Sequence, residues 1–305
     1  MKMSPKIAVI LTLLATLFWG SNFQATKVAI AAMSPWTASA ERFLIAVVVI
    51  FIYMSFRNLM TSHALRKNLL AFISLGAIGV AGFNGALFVG LQTSNPITAA
   101  LIMATTPISA NILEAIINRR MPQFIRVLGM LISLFGVSMV ISNGKILMGG
   151  ALTFSYGDVI IFIGSLGWAV YTVGTRAMVT ESTPLETTAW TMFFGAIILS
   201  AMAFVYEQPI SAVSSASVAS HLAGLYMGIA GSVLAYLFWV IGISTRGPGK
   251  TSIFFNFVPL FAILVQITFG TVPGNVQLIG AVITIFGVLL GQGQLSFFSR
   301  KQVEA

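Results

Sequence analysis

The chain has 305 residues, of which 57% are hydrophobic and 8% charged, with a formal charge of +9, no cysteine and a mean hydropathy of +0.97. Soluble domains carry about a quarter charged residues, so there is too little polar surface here to coat a water-facing globule. That excludes a soluble enzyme, a nucleic-acid binder and a disordered chain, and the lack of cysteine excludes disulfides, thiolate metal sites and cysteine nucleophiles.

A membrane-spanning helix needs about 20 mostly apolar residues. Taken in chain order, ten stretches qualify: roughly 7–32, 36–56, 69–92, 97–117, 123–142, 157–177, 184–206, 220–243, 251–271 and 276–296. The short alternating segments of an outer-membrane barrel are absent from the sequence. The expected fold is therefore all-α, a polytopic bundle of ten transmembrane helices.

Charge orients it. If the spans alternate, one face receives Lys2, Lys6, Arg57, Arg66, Lys67, Arg119, Arg120, Arg126, Arg246, Lys250, Arg300 and Lys301, twelve of the sixteen cations. The other face receives Lys145, and Lys27, Arg42 and Arg176 fall within spans. The positive-inside rule then places both termini in the cytoplasm, so the net charge is a topology signal and calls for no polyanionic partner. Lys2 and Lys6 before an apolar run resemble a secretory signal, but the run is too long for one and its pattern recurs later.

The recurrence is systematic. Trp19, Lys27 and Ser34-Pro35 match Trp168, Arg176 and Thr183-Pro184 at an offset of 149. Gly79 and Gly82 match Gly228 and Gly231 at 149, Pro107 matches Pro259 at 152, and Gly129 with Gly136 match Gly280 with Gly287 at 151. Ser34 and Thr183 stand where helix N-caps belong, each followed by proline at the first helical position, and Glu186 completes a capping box with Thr183. The glycines seven apart share one helix face and allow close packing of spans five and ten. Five spans separate equivalent points, and five is odd, so the second half enters the membrane upside down. Two inverted repeats are expected, 1–148 and 149–305, the architecture of many secondary transporters.

The stretches FWGSNFQATKVA (Phe18–Ala29), SPWTASAERF (Ser34–Phe43) and NPITAALIMATTPISANILEAI (Asn95–Ile116), with their second-half copies, resemble the drug/metabolite transporter superfamily, in particular its EamA-type exporters. The resemblance covers nearly the whole chain and extends, more loosely, to the aromatic and neutral amino-acid exporters. It implies a central cavity walled by spans one to four and six to nine, with five and ten peripheral. It also implies export as the direction of transport and a bacterial inner membrane as the location.

Helical spacing decides which polar side chains share a face. Trp19, Asn22, Phe23 and Thr26 form a stripe on span one, matched by Trp168, Tyr171, Thr172 and Thr175 on span six. Asn84, Phe88 and Leu91 align on span three, Ser232, Tyr236 and Trp239 on span eight, and Asn256 precedes Pro259 on span nine. Polar groups in hydrocarbon are costly unless paired or facing a cavity. The candidate substrate contacts are therefore Trp19, Asn22, Phe23, Asn84, Phe88, Trp168, Tyr171, Thr172, Tyr236 and Asn256. Pro107 and Pro259 should kink their helices and free carbonyls near Met103 and Phe255, making matched hinges. Lys27 is expected to pair with Glu41 near the outer surface. Glu41 and Glu114 are the candidates for proton coupling, and with Lys27, Pro107 and Pro259 they make up the expected coupling or gating set.

With so few cations, the site does not suit phosphate esters. Aromatic rings, amides and hydroxyls suit a neutral or aromatic amino acid, or a lipophilic cation attracted to a tryptophan face. A multidrug exporter is thus the alternative to a metabolite exporter. A membrane enzyme is disfavoured, because Asp158 is the sole aspartate and His63 and His221 lie in or beside loops. A channel does not require inverted halves, and a scaffold stands with the membrane enzyme as a lesser alternative. No cofactor, metal or obligatory protein partner is expected, only the lipid bilayer and a small solute. Gly247-Pro248-Gly249-Lys250-Thr251 mimics the end of a phosphate loop but lacks its first glycine, Ser244 standing there, and reads as a turn between spans.

Overall fold

The computed structural model describes residues 4–94, 96–146, 149, 155–270 and 272–293. Residue 148, the expected end of the first repeat, and Lys2, Arg300 and Lys301 lie outside the described residues. Ten apolar helices account for most of the rest. They are α1 (Pro5–Ile30), α2 (Pro35–Phe56), α3 (Ser62–Gly90), α4 (Pro96–Ala104 and Thr106–Asn118), α5 (Phe124–Ser142), α6 (Tyr156–Ala177), α7 (Pro184–Tyr206), α8 (Val218–Arg246), α9 (Pro248–Thr268) and α10 (Asn275–Gly291). Nine are long enough to cross a bilayer, and α10 is described over only 17 residues. Among the described residues there is no strand. Large apolar side chains such as Ile10, Val48, Phe204 and Val282 are exposed around the bundle, where hydrocarbon would cover them.

The helix starts follow local chemistry. Thr183 and Glu186 form the expected box: Glu186 N donates to Thr183 Oγ1 at 3.2 Å and Thr183 N to Glu186 Oε2 at 2.9 Å. Ser34 departs from expectation, since its side chain caps nothing. Glu207, at the end of α7, accepts instead from the α2 amides of Trp36 at 3.0 Å and Thr37 at 2.7 Å. A carboxylate satisfies two orphan amides and the positive end of the helix dipole together, so the cap comes from the other half of the molecule. At the phosphate-loop lookalike only Gly247 (φ 88°) is a turn; Pro248 opens α9, and the next residues are its first helical turn. A short helix, Pro209–Ser215, interrupts the connection between α7 and α8.

Packing is almost wholly between halves. α1 lies on α8 and α9, and its counterpart α6 lies on α3 and α4. α2 packs on α7 and α8, α7 on α2 and α3, and α5 pairs with α10. Swapping the halves reproduces the scheme. The glycine seam of α5 and α10 is as expected: a Cβ on Gly136 would sit 2.6 Å from the Gly280 carbonyl, and one on Gly280 2.7 Å from that of Gly136.

Two segments depart from ordinary helix. Gly76–Gly82 in α3 and Met227–Leu234 in α8 are π-helical, with the wider i→i+5 turn. Their neighbours correct the register of the repeat. Gly76 faces the backbone of Thr191 and Gly228 faces that of Arg42; Gly79 faces Tyr171 and Gly231 faces Asn22. Thr191 and Arg42, like Tyr171 and Asn22, are 149 apart. The true matches are therefore Gly76 with Gly228 and Gly79 with Gly231, at 152, the offset already carried by Pro107 and Pro259.

The two prolines interrupt their helices differently. Before Pro107 the α4 helix breaks at Thr105, and the Met103 carbonyl accepts from Thr106 Oγ1 at 2.6 Å. Before Pro259, Ile253–Phe257 tightens to a 3₁₀ turn, in which the Phe255 carbonyl accepts from the amide of Val258.

Candidate functional site

A cluster of rings occupies the centre of the bundle. Trp19 of α1 lies 5.3 Å from Trp168 of α6, 5.9 Å from Tyr236, 5.1 Å from Trp239 and 5.8 Å from Phe255, centroid to centroid. Trp168 stacks on Tyr171 at 5.0 Å and 12° and meets Phe83 of α3 at 5.3 Å. Trp19 and Trp168 are equivalent residues of the two halves and touch at 85°. Asn84 and Tyr236, equivalent at 152, also meet, with Nδ2 3.5 Å from the phenol oxygen. The relation between the halves thus passes through these two contacts, although the second half supplies more of the surrounding rings.

Its polar atoms are unevenly satisfied. Trp19 Nε1 donates to the Gly231 carbonyl at 3.0 Å, and Trp239 Nε1 to Thr172 Oγ1 at 3.2 Å. Trp168 Nε1 and Asn22 Oδ1 are buried and have no hydrogen-bond partner among the described residues. A buried polar atom without a partner is costly, and these two leave one donor and one acceptor unused within the cluster.

Arg42 was not among the expected contacts. The sequence placed it near the outer end of span two, where a cation snorkels to the surface. In the structure it is turned inward and buried. Its Nε donates to Ser232 Oγ at 2.8 Å and its Nη2 to the Gly231 carbonyl at 3.0 Å. No carboxylate lies within ion-pair distance of it among the described residues. Its equivalent, Thr191, is neutral and closes on Tyr171 with a 3.3 Å hydroxyl contact.

Trp19, Asn22, Asn84, Trp168, Tyr171, Thr172 and Tyr236 are brought together as the spacing predicted. Three others are not. Phe23 is 41% exposed, pointing away from the cluster, because one residue beyond Asn22 turns a helix by about 100°. Phe88 is only partly buried and makes none of the cluster's ring contacts. Asn256, carried on the 3₁₀ turn, donates to Ser133 Oγ of α5 at 2.7 Å. Trp239, Phe83, Phe43 and Phe255 complete the cluster and were missed as contacts; only Trp239 was on a predicted stripe.

The charged candidates also moved. Lys27 is exposed and forms no ion pair among the described residues. Glu41 pairs instead with His221 Nδ1 at 2.8 Å. Glu114 pairs with Arg126 at 3.5 Å, and Asn111 beside it reaches the Gly249 carbonyl at 3.2 Å, tying the end of α4 to the start of α9. That junction borders a cavity of about 580 Å³ lined by Glu114, Arg120, Gln123 and Arg126. A second cavity, about 690 Å³ and mostly apolar, lies at the other end among Trp36, Gly85, Ile160, Met202, Tyr206 and Glu207. Neither is lined by Trp19 or Trp168. The implied central cavity is filled with rings, and these two cavities lie toward opposite ends of the bundle.

Known proteins agree with this architecture. The EamA-like transporter family matches the chain twice, over residues 6–142 and 155–291. An uncharacterized transporter of Bacillus subtilis, YyaM, is 38% identical over 278 residues, covering 91% of each chain. A probable terminal-alkyne amino-acid exporter of Streptantibioticus cattleyicolor is 22% identical over 292 residues, covering 95% of this chain and 94% of its own. A solved crystal structure superposes with a TM-score of 0.79 over 94% of this chain and 98% of its own, at 19% identity, and so shares the fold.

Proposed function

Because the chain belongs to the EamA-like transporter family and is a multi-pass membrane transporter, we propose that it exports small amphiphilic metabolites, foremost neutral or aromatic amino acids, across the cytoplasmic membrane. Transport proceeds by alternating access between two inverted repeats, 1–148 and 149–305, with both termini cytoplasmic. The observation that carries this reading is the ring cluster shared by Trp19 and Trp168, flanked at opposite ends of the bundle by separate cavities. A barrier centred on equivalent residues of both halves can be opened to one side by one half and to the other side by its copy.

The substrate class follows from what lines the barrier. Indole and phenol rings offer an apolar slot with a few polar atoms, the general make-up of a small-molecule site. The substrate named for the Streptantibioticus relative supports the amino-acid branch. A lipophilic cation is favoured by the tryptophan faces and disfavoured by Arg42, a buried positive charge next to them. On this reading Glu41, Glu114, Pro107 and Pro259 serve gating or coupling at the periphery of the site, the exposed Lys27 drops out of that group, and Phe23 and Phe88 drop out of substrate contact. The test is counterflow in liposomes holding only the purified protein, with labelled phenylalanine and leucine beside a dye cation. Saturable amino-acid exchange without ATP is expected, and movement of the dye alone would transfer the assignment to multidrug export.

A further inference from the structure

A buried arginine without an acid is an unusual thing to keep in a membrane protein, where ionised side chains are costly and normally paired. Arg42 sits about a third of the way along α2; its guanidinium lies over the Phe43 ring at 4.9 Å and donates to two neutral oxygens, Ser232 Oγ and the Gly231 carbonyl. Gly231 lies in the π-helical turn of α8, and its carbonyl accepts from Trp19 as well. Asn22 packs directly against Gly231, with its Oδ1 buried and unpartnered. One backbone position therefore gathers a guanidinium with donors to spare, an unpaired amide acceptor and the central tryptophan. The opposite half, where Thr191 and Tyr171 replace Arg42 and Asn22, holds no such pair of complementary groups.

We propose that Arg42 and Asn22 form the zwitterion-reading end of the substrate site, Arg42 taking the α-carboxylate and Asn22 the α-ammonium, with the side chain of the substrate against the rings. This rests on the amino-acid reading above and sharpens it. A guanidinium presents planar paired donors that match a carboxylate; Nε and Nη2 each make one hydrogen bond to the protein, which leaves Nη1 to spare beside the Phe43 ring. The amide oxygen of Asn22 can only accept, which suits an ammonium and rejects a second carboxylate. A site that must satisfy a buried cation discriminates strongly against a solute lacking the matching group. Amines, amino-acid amides and lipophilic cations should be poor substrates for this reason, although they share the apolar part.

The experiment compares competitors of phenylalanine counterflow in liposomes: phenylalanine, phenylalaninamide, phenethylamine and 3-phenylpropionate. Wild-type protein is expected to favour phenylalanine over the amide by about 10-fold or more, equivalent to about 1.4 kcal/mol. Arg42→Gln should bring the two within about twofold, in line with the loss of one charge-assisted contact. Asn22→Leu should weaken phenylalanine and leave 3-phenylpropionate unchanged. Should Arg42→Gln fail to fold, Arg42→Lys decides. A recognition role predicts a reduced amide discrimination in that variant, whereas a purely structural role predicts a lower melting temperature with the discrimination intact. Wild type that exchanges phenylalanine while both Arg42 variants keep its preference overturns the assignment alone. Wild type that exchanges no neutral amino acid overturns the amino-acid reading first, and this inference with it.

Discussion

Trp168 is the most exacting place to test the central cluster. It is 1% exposed and meets Trp19, Phe83, Tyr171, Tyr236, Trp239 and Phe255 with centroid distances from 5.0 to 6.2 Å. Trp168→Ala removes the whole indole from a site walled by other rings, which cannot collapse onto the void without leaving their own contacts. Truncating a buried aromatic in such a setting costs about 3–5 kcal/mol, a large share of the roughly 5–15 kcal/mol that holds a domain together. The edge-to-face pair with Trp19 should account for about 0.5–1.5 kcal/mol of that beyond burial, readable as the coupling term of a cycle with Trp19→Ala. Trp168→Phe keeps one ring and loses Nε1, so it should fold well and transport poorly. The assay is detergent unfolding followed by circular dichroism, beside counterflow in liposomes. If Trp168→Ala unfolds within about 0.5 kcal/mol of wild type and shows no coupling to Trp19, the rings do not pack as described and the reasoning fails.

Four further outcomes are expected. Glu207→Ala should cost about 1 kcal/mol by uncapping α2 from across the molecule, and an unchanged melting temperature would contradict the Trp36 and Thr37 amide contacts. Gly136→Leu should separate α5 from α10 and lower stability by about 1–3 kcal/mol or more, while Leu131→Ala on the exposed face should be near neutral. Glu181, in the α6–α7 turn, is held below the ordinary 4.5 by hydrogen bonds from Lys67 and then His63 and by the Lys67 charge. A depressed carboxyl stabilises the fold above its unfolded value and loses that contribution as pH falls through the folded value. Glu181→Gln should therefore flatten the acid limb of stability below about pH 4.5, an effect weakened by salt. Finally, Glu41→Gln with Glu114→Gln should abolish proton-driven uptake but spare counterflow; a retained response to a proton gradient would remove both from coupling.

What was readable in the sequence, and what was not, separates by length scale. Helix positions came from apolar length, caps such as Thr183 with Glu186, and proline at first helical positions, all local signals. The glycine seam and the Trp19–Trp168 pair were legible because repetition amplified weak motifs. The errors begin where the two halves differ in length and where geometry leaves the ordinary α-helix. The glycine matches slid by three because the second half carries three extra residues between Thr191 and Gly228, where the short helix Pro209–Ser215 lengthens the connection, and Phe88, one turn beyond Asn84 on the same face, lies past the cluster. The 3₁₀ turn at Ile253–Phe257 likewise swings Asn256 toward Ser133. Partner choice between distant charges was beyond reach. Glu41 found His221, Glu207 found the start of α2, and Arg42 turned inward because a carbonyl of α8 was waiting for it. Nothing within ten residues of any of them announces that.

The pairing of helices across the halves also shapes how the molecule must be made. Among the heaviest contacts, α1 on α8, α2 on α7 and α5 on α10 join residues well over a hundred positions apart. Such long-range topology makes assembly slow, because the chain closes large loops before it gains from them. When the first five helices have been threaded into the bilayer, the faces of Gly136 and Gly129 and the indole of Trp19 are still waiting for partners not yet synthesised. During that interval the nascent half is a sticky intermediate whose bare faces fit a second nascent copy, in the manner of the intermediates that misassemble in large proteins. Slowing synthesis between the halves should then raise the yield of tangled dimers at the expense of the native bundle.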